Sequence, residues 1–317
     1  MSIIPFQIDK ASNILVAGAG GGYDFICGLP IIFQLEALGN KTIVANYSFT
    51  DLAVVQNAKK HMDNLVEISS DSYLEEGDYF PELYLSKWYA RKQNIEKPIW
   101  CFNRSGVKPL LESYNYIINK YNIDTVFCID GGVDGIFRGD EFDLGTPSMD
   151  SISVITTSLC NAKNKYYVCT AFGTEGTEGK VSHAQVLNRI ADLIKEKAFL
   201  GTGTILKNEN IGEKFYNAIK EIYIQIPQMR QSIIVNSILA SMEGNYGKTV
   251  IHPKTEMNPP WISPLTSLIW YFKADPVAKM KLFYNEAVQS ETVKEVADAI
   301  NAFRQENGYN KHESIPI

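Results

Sequence analysis

The sequence predicts a Rossmann-like α/β fold, in which a parallel sheet carries helices on both faces and a mainly helical part follows. Three observations predict it. Short apolar runs alternate with helical segments along residues 1–205, as in repeated strand–helix–strand units. These runs are apolar nearly throughout, which is typical of strands that are covered on both faces. Glycines cluster directly after the first run, where such folds place their first strand-to-helix turn.

The individual strands and helices follow from this alternation in chain order. The predicted strands are Asn13–Ala17, Lys41–Asn46, Leu65–Ile68, Pro98–Phe102, Thr125–Ile129 and Lys165–Ala171. The predicted helices are Phe25–Leu38, Asp51–His61, Pro81–Lys92, Lys108–Tyr121, Met149–Cys160 and Ser182–Phe199. Pro30 indicates a kink or a late start within the first helix. The last helix is amphipathic, because its apolar positions Val186, Ile190, Leu193 and Ile194 are predicted to fall on one face.

The strand–helix pattern weakens after Gly201. Helices are predicted there at Asn210–Tyr223, Gln228–Met242 and Thr292–Arg304, with one strand-like run at Thr249–His252. We therefore expect a ligand-binding α/β region at residues 1–205 and a mainly helical part packed on it at residues 206–317. The alternative is one continuous domain, in which the later residues form the far half of the same sheet.

Composition and charge narrow the class of protein. The 317-residue chain has a formal net charge of −6 and an isoelectric point of about 5.4, so no basic field exists to attract nucleic acid. Its apolar runs are far too short to span a bilayer, and its first residues do not resemble a secretory signal. The five cysteines include no CxxC pair and are predicted to be reduced core thiols. We expect a cytoplasmic protein without nucleic-acid or membrane partners, and leave its oligomeric state open, a homodimer included.

The first candidate site is the turn from Gly18 to Asp24 (GAGGGYD), which follows the first predicted strand. Glycines allow a sharp turn and let backbone amides approach an anion at the start of a helix. A dinucleotide fingerprint would need glycine at position 23, which is Tyr23, and no Walker lysine is present. We therefore predict a phosphate-binding or carboxylate-binding turn without a named cofactor; the alternative is a turn in which glycine only relieves packing. The ligand-binding candidates are Gly18, Gly20, Gly21, Gly22 and Asp24.

The second candidate site is the acidic loop after the strand that ends at Ile129. Its five carboxylates within fourteen positions belong to Asp130, Asp134, Asp140, Glu141 and Asp143. Clustered carboxylates repel one another unless a cation or protons neutralise them. Their oxygens suit Mg²⁺ or Mn²⁺, or one of them acts as a general base with a raised pKa. The alternative is a solvated loop in which Ser148 or Asp150 caps the next helix.

Roles within this loop are assigned by residue. Asp130 and Asp134 are the predicted catalytic residues and metal ligands. The predicted ligand-binding residues of the loop are Gly131, Gly132, Arg138 and Glu141. A single arginine, Arg138, could neutralise only one or two of the carboxylates, which favours a cation over a purely internal balance of charge.

Further candidates follow two other predicted strands. Glu175 and Glu178 lie in the turn after the strand that ends at Ala171, and we assign Glu175 as a third catalytic residue. Asn103 and Arg104 follow the strand that ends at Phe102 and are assigned to ligand binding, with Arg104 as an anion clamp.

The fold class predicts where these side chains meet. The carboxyl ends of the strands in an open parallel sheet line one crevice, so Asp24, Asn103 and Asp130 are expected around a common pocket together with Glu175. The polar stretch that begins at Arg230 is a candidate for closing over this crevice from the C-terminal part.

Three stretches of the sequence resemble the family called domain of unknown function 1152, found in archaea and bacteria. They are Gly18–Pro30 (GAGGGYDFICGLP), Asp130–Met149 (DGGVDGIFRGDEFDLGTPSM) and Phe172–His183. Members carry a glycine-rich first turn followed by an acidic residue and Leu-Pro, and later a glycine- and aspartate-rich loop that runs into Gly-Asp-Glu. The resemblance covers most of the chain and implies the fold and the crevice, but no established reaction or cofactor.

These observations lead to one expected function and two alternatives. We expect an enzyme that hydrolyses or transfers a group on a small anionic ligand, a nucleotide or a sugar phosphate, between the turn at Gly18–Asp24 and the loop at Asp130–Glu141, with Mg²⁺ or Mn²⁺ as the cofactor. The first alternative is a non-catalytic ligand sensor on the same fold. The second, a nicotinamide-dependent oxidoreductase, is disfavoured because the third glycine is missing and no acidic residue ends the second strand.

Overall fold

The computed structural model describes residues 2–74, 79–175 and 181–315. The protein is built around a nine-stranded sheet with helices on both faces. Its strands are β1 (Asn13–Gly18), β2 (Lys41–Tyr47), β3 (Lys59–Met62), β4 (Leu65–Ile68), β5 (Ile99–Phe102), β6 (Thr125–Asp130), β7 (Asn164–Thr170), β8 (Phe199–Thr204) and β11 (Leu268–Lys273). Two further strands, β9 (Gly247–Lys248) and β10 (Trp261–Ile262), form a separate antiparallel pair. The predicted α/β class is confirmed.

Eleven α-helices surround the sheet within the described residues. They are α1 (Asp24–Cys27), α2 (Leu29–Ala37), α3 (Pro81–Trp88), α4 (Val107–Tyr121), α5 (Pro147–Leu159), α6 (His183–Lys195), α7 (Asn210–Tyr223), α8 (Ile233–Met242), α9 (Ala274–Lys279), α10 (Tyr284–Val288) and α11 (Val293–Asn307). None of the helices in the described part of the chain is long and apolar enough to cross a membrane.

The strand order places a topological switch point at the centre of the sheet. The order is β3-β4-β5-β2-β1-β6-β7-β11-β8, and the five strands from β5 to β7 run parallel. From β1 the chain builds outward through β2 to β5 and then returns to add β6 on the other side of β1. In open α/β sheets, ligands bind beyond the carboxyl ends of the strands at such a point. The ends of β1 and β6, at Gly18 and Ile129, lie side by side there.

Both faces of the sheet are buried, which explains the continuous apolar runs. Successive side chains of a strand point to opposite faces. In β1, Leu15 and Ala17 pack into the core below α4, α5, α6, α9, α10 and α11, whereas Ile14 and Val16 pack into the core below α1, α2, α3, α7 and α8. All five cysteines are free and buried, as predicted from the sequence.

In the first half of the chain one predicted helix is wrong, and another is divided into two. The helix predicted at Asp51–His61 is a 3₁₀ turn at Leu52–Val54 followed by β3. Asp51 accepts a hydrogen bond from the amide of Ala53, and Asn57 has a left-handed φ of 55°, so the chain turns out of the helical conformation. The helix predicted at Phe25–Leu38 is divided at Gly28 into α1 and α2, with Pro30 in the first turn of α2.

The C-terminal part completes the main sheet. β11 lies antiparallel between β7 and β8, which agrees with the alternative that later residues form the far half of one sheet. Sequence analysis missed β8 because Gly201 and Gly203 interrupt its apolar pattern. The strand predicted at Thr249–His252 is also wrong, because His252 instead caps the 3₁₀ turn that starts at Pro253.

Candidate functional site

The glycine turn after β1 binds a carboxylate of the chain itself. Gly21 and Gly22 have positive φ angles of 95° and 61°, which bring the chain around from β1 into α1. Asp24 begins α1, and its Oδ2 accepts a hydrogen bond of 2.6 Å from the amide of Gly20. The amides of Gly21 and Gly22 donate no hydrogen bond to any described residue. One amide predicted to contact a ligand anion is therefore occupied by Asp24, and two remain available.

Asp130 ends β6 and is held by three hydrogen bonds. Its Oδ1 accepts from the amide of Gly132 at 2.7 Å, and its Oδ2 accepts from the hydroxyl of Tyr167 at 2.7 Å and the amide of Gly135 at 3.2 Å. Burial raises the pKa of Asp130 to about 7, and the charge of Asp134 adds to this rise, while the hydrogen bonds oppose it. Asp130 is thus fixed in position and titrates near neutrality.

A third carboxylate, that of Asp150, joins Asp24 and Asp130. Asp150 lies in the first turn of α5, and its Oδ2 accepts a hydrogen bond of 3.2 Å from the hydroxyl of Thr146. One carboxylate oxygen from each of the three residues lies within 4.8 Å of the other two. We call these three side chains the aspartate cluster. Burial, followed by the neighbouring aspartate charges, raises the pKa of both Asp24 and Asp150 well above the ordinary value.

Glycines permit this close approach. A Cβ added at Gly131 would lie 2.7 Å from Oδ1 of Asp24, and one added at Gly20 would lie 2.9 Å from Oδ2 of the same side chain. Real Cβ atoms do not come this close to a carboxylate, so a side chain placed at Gly20 or at Gly131 would displace the carboxylate of Asp24. The glycine spacing that predicted ligand contact also serves to admit the protein's own carboxylates.

Asp134 and Glu175 form a second acidic pair beside the aspartate cluster. Oδ2 of Asp134 accepts from the amide of Thr146 at 2.7 Å, and Oε2 of Glu175 accepts from the amide of Val133 at 2.8 Å. The two carboxyl groups are close enough for each to affect the pKa of the other. Burial, followed by the charges of Asp134 and Asp130, raises the pKa of Glu175 well above its usual value. Glu178 lies outside the described residues.

The acidic groups lack a matching cation. In the described part of the chain, no ion pair reaches Asp24, Asp130 or Asp150. The buried amine of Lys281 donates hydrogen bonds to the carbonyls of Gly135, at 2.7 Å, and Phe137. Its charge interacts favourably with Glu141, Asp150, Asp134 and Asp130, so this single amine balances part of the acidic charge. Chemically, the aspartate cluster must hold protons or take up a cation.

A cavity of about 310 Å³ opens beside the cluster. Asp24, the partly exposed member of the cluster, lines it together with the turn at Gly21 and Gly22. The opposite wall comes from the C-terminal part. It comprises Met229, Arg230, Gln231, Ser232, Ile233, Ile234 and Lys254, so the stretch beginning at Arg230 does close over the crevice.

Other predicted site residues lie apart from this cavity. Asn103 donates a hydrogen bond of 2.9 Å to the carbonyl of Asp63 and lines a different cavity, so the expectation that it shares a pocket with Asp24 is wrong. The reason is strand order, because β2 separates β5 from β1. Arg104 lies next to the site, where its guanidinium is 5.2 Å from the ring centroid of Phe49, a cavity-lining residue.

Arg138 and Glu141 serve the loop rather than the cavity. Arg138 forms a two-bond ion pair with Asp140, at 2.6 and 2.7 Å, and lines a separate groove with Asp192. Glu141 is buried and accepts hydrogen bonds from the amides of Arg138 and Gly139 at 3.1 and 2.9 Å. Neither residue lines the cavity beside Asp24; the charge of Arg138 is paired within the loop, and Glu141 also pairs with Arg189 of α6 at 3.6 Å.

Gly18 and Gly132 admit neighbouring side chains. Gly18, at the end of β1, leaves room for the amide of Asn46, and Gly132 leaves room for the carboxylate of Glu175. The backbone polar groups of Gly132 are also used, since its amide donates to Asp130 and its carbonyl accepts from the amide of Thr170. These two glycines contribute to the site by leaving space for neighbouring side chains, and not by offering a free amide to a ligand.

Sequence analysis missed the role of Asp150. It was considered as a helix cap, but the N-cap position of α5 is Thr146 and no side chain caps the helix. The signal was present, because Asp150 is a lone carboxylate at the start of a run that is otherwise small or apolar and is buried through Ser158. A charged residue that leads a buried helix indicates a site.

Comparison with known proteins gives one match. The family model described as a protein of unknown function, DUF1152, matches residues 15–313, nearly the whole chain, and the chain belongs to this family. The resemblance drawn from the glycine turn and the acidic loop is therefore confirmed. Neither the curated proteins nor the solved structures contain a match.

Proposed function

We propose that this member of the family is an enzyme that acts on a small anionic substrate, a nucleotide or a sugar phosphate, by hydrolysis or group transfer assisted by Mg²⁺ or Mn²⁺. The observation that carries the proposal is the aspartate cluster, with its oxygens within 4.8 Å of one another, beside a cavity whose opposite wall is basic.

The need for a cation follows from the charge balance. Two unit charges 4.8 Å apart repel by about 3.5 kcal/mol at an effective dielectric constant of about 20. Three ionised aspartates make three such pairs. Among the described residues no ion pair reaches them, and the one buried amine that interacts with Asp150 and Asp130, that of Lys281, leaves a negative excess. A divalent ion converts this repulsion into attraction, and an all-oxygen ligand set suits Mg²⁺ or Mn²⁺.

The anionic substrate follows from the opposite wall. Arg230 and Lys254 line the cavity and make no ion pair with any described residue. The amides of Gly21 and Gly22 lie on the same cavity. Acidic groups hold Mg²⁺ by one or two carboxylates while substrate phosphates complete its coordination. Asp24 lines the cavity with the other two aspartates beside it, and Arg230 and Lys254 line the same cavity. This arrangement is complementary to a phosphate bound through a metal ion.

The residues of the chain divide the chemistry between them. Asp24, Asp130 and Asp150 would hold the cation, which supplies charge stabilisation to the group being transferred. Glu175 is partly exposed and has a raised pKa, so it would be the group that protonates a leaving oxygen. The bond from this oxygen to the transferred group breaks as water or an acceptor hydroxyl attacks.

The end of β2 disfavours the nicotinamide alternative. An NAD-binding site places a free acidic side chain there to bind the ribose. In this chain the position is occupied by Asn46, whose Nδ2 donates hydrogen bonds of 2.9 Å to the carbonyl of Gly22 and to Oε1 of Glu82. Both partners belong to the protein, and no acidic group is presented to the cavity from this strand.

Turnover assays test the proposal. Purified protein is incubated with a panel of nucleotides and sugar phosphates, with Mg²⁺, Mn²⁺ or EDTA, and products are separated by chromatography. We expect turnover of at least one compound with metal and none with EDTA. Asp130→Asn should abolish turnover, whereas Asp140→Asn, outside the cluster, should retain it. Binding without turnover across the panel would contradict the enzyme and indicate the sensor.

A further inference from the structure

The cavity has an aromatic side that the chemistry proposed above does not use. Phe49, Tyr79 and Tyr23 all line it. The rings of Phe49 and Tyr79 are inclined by 25° with centroids 6.4 Å apart, and Tyr23 meets Tyr79 edge-on at 5.7 Å. Phe49 is 39% exposed, so apolar ring surface faces the open cavity.

We infer that the cavity selects a nucleotide, with the base against Phe49 and Tyr79 and the phosphate between Arg230 and Lys254. This inference rests on the proposed function, because the phosphate must also reach the cation at Asp24. It goes further in choosing between the two substrate classes and in assigning residues to each half of the ligand.

The aromatic side favours a base over a sugar alone. A planar base buries apolar area against aromatic rings and stacks on them, whereas a sugar phosphate offers hydroxyl groups that need hydrogen-bond partners. Arg104 stiffens this side, since its guanidinium lies over the ring of Phe49. The cavity volume of about 310 Å³ falls at the lower end of small-molecule sites, a size suited to a mononucleotide.

The order of elements separates the two halves of the ligand. Phe49 follows β2, on one side of the glycine turn, and Asp130 ends β6, on the other. Asp24, at the end of the turn, lies between them and is shared by the cavity and the aspartate cluster. A base near Phe49 therefore leaves the phosphate directed toward Asp24.

The basic wall is held in place by a buried histidine. Nε2 of His252 is 2.8 Å from the carbonyl of Gln228, and its Nδ1 accepts a hydrogen bond of 3.0 Å from the amide of Lys254. His252 thus ties the 3₁₀ turn that carries Arg230 to the turn that carries Lys254. The carbonyl of Arg230 also accepts a hydrogen bond of 3.3 Å from the hydroxyl of Tyr23.

Calorimetric titration of three related probes tests the inference. AMP and ribose 5-phosphate differ by the base, and AMP and adenosine differ by the phosphate. We expect Phe49→Ala to weaken AMP binding about 10-fold, in line with the loss of one stacking contact, and to leave ribose 5-phosphate unchanged. Arg230→Gln should weaken AMP and ribose 5-phosphate alike and leave adenosine unchanged. Phe142→Ala is the matched control, because Phe142 is 38% exposed and packs against Tyr309 elsewhere.

The outcomes separate this inference from the proposed enzyme. Equal affinities of AMP and ribose 5-phosphate, both insensitive to Phe49→Ala, would overturn the base site while leaving metal-dependent turnover intact. Absence of binding by AMP, GMP, CMP and UMP would also overturn it. Because binding is measured directly, a protein that binds AMP through Phe49 but shows no turnover would refute the enzyme alone. Unchanged melting curves establish that each variant is folded.

Discussion

Replacing Asp150 by Asn should stabilise the metal-free protein. Asp150 takes part in two of the three repulsive pairs of the aspartate cluster, each worth about 3.5 kcal/mol when both groups are ionised. Bound protons relieve part of this repulsion, since the pKa values of all three groups are raised. We therefore expect a net gain of about 2–4 kcal/mol near pH 8 for Asp150→Asn, about half of the full repulsion.

Melting curves with and without a divalent ion measure this effect. For a chain of this length, 1 kcal/mol corresponds to about 1.5 °C, so Asp150→Asn should melt about 3–6 °C above the wild type in EDTA. Mn²⁺ at about 100 times its dissociation constant should stabilise the wild type by about 2.7 kcal/mol and the variant by much less. The two melting temperatures should therefore converge when Mn²⁺ is added.

Asp140→Asn provides the control for Asp150→Asn. Asp140 is paired with Arg138 at 2.6 Å outside the cluster, so its replacement should lower the melting temperature slightly and leave the response to Mn²⁺ unchanged. The reasoning is refuted if Asp150→Asn melts at or below the wild type in EDTA and both proteins respond equally to Mn²⁺. That result would mean that the cluster is neutral in the folded protein and does not bind the ion.

Two further predictions concern buried groups around the site. Burial raises the pKa of Glu82 to about 7, so the folded protein retains a proton that the unfolded chain releases near pH 4, and stability falls as the pH rises from about 4 to 7. Glu82→Gln should reduce the loss of unfolding free energy between pH 5 and 8 by about 3 kcal/mol in urea titrations, and an unchanged slope would contradict this. Tyr167→Phe removes a 2.7 Å hydrogen bond to Asp130 and should lower Mn²⁺ affinity about 10-fold by calorimetry; equal affinity would show that Tyr167 does not position the ligand.

The repeated strand–helix units of the sheet could be predicted from the sequence. Strands buried on both faces give continuous apolar runs, and β1, β2, β5, β6 and β7 were all found by that pattern. β3 was mistaken for part of a helix, because it is an edge strand of the sequence KKHM, whose polar residues hide the strand pattern. β11 was missed although its sequence, LIWYFK, is a continuous apolar run, because helical segments dominate the sequence around it.

Only part of the candidate site could be predicted from the sequence, because the order of strands in the sheet decides which strand ends lie together. Residues that directly follow β1 and β6 can be placed together once the switch point is assumed, and the structure does bring Asp24 and Asp130 together. Sequence order alone does not give spatial order, so Asn103 after β5 was placed in the same pocket although β2 intervenes. Asp150 reaches the cluster from a helix rather than from a strand end, and no strand-based argument could include it.

The glycine turn provides the last link between fold and chemistry. In sheets of this kind, the amides of such a turn and the helix behind it usually meet a ligand's anion. Here the amide of Gly20 donates to Asp24, and a hydrogen bond from the amide of Gly131 lowers the pKa of the same carboxylate against the larger effect of burial. The positive end of the turn thus holds a carboxylate of the protein, and that carboxylate joins two others. Under the proposed function, this turn forms one side of a cation-binding cluster, and Arg230 and Lys254 on the opposite wall are the groups that would meet the negative charge of the substrate.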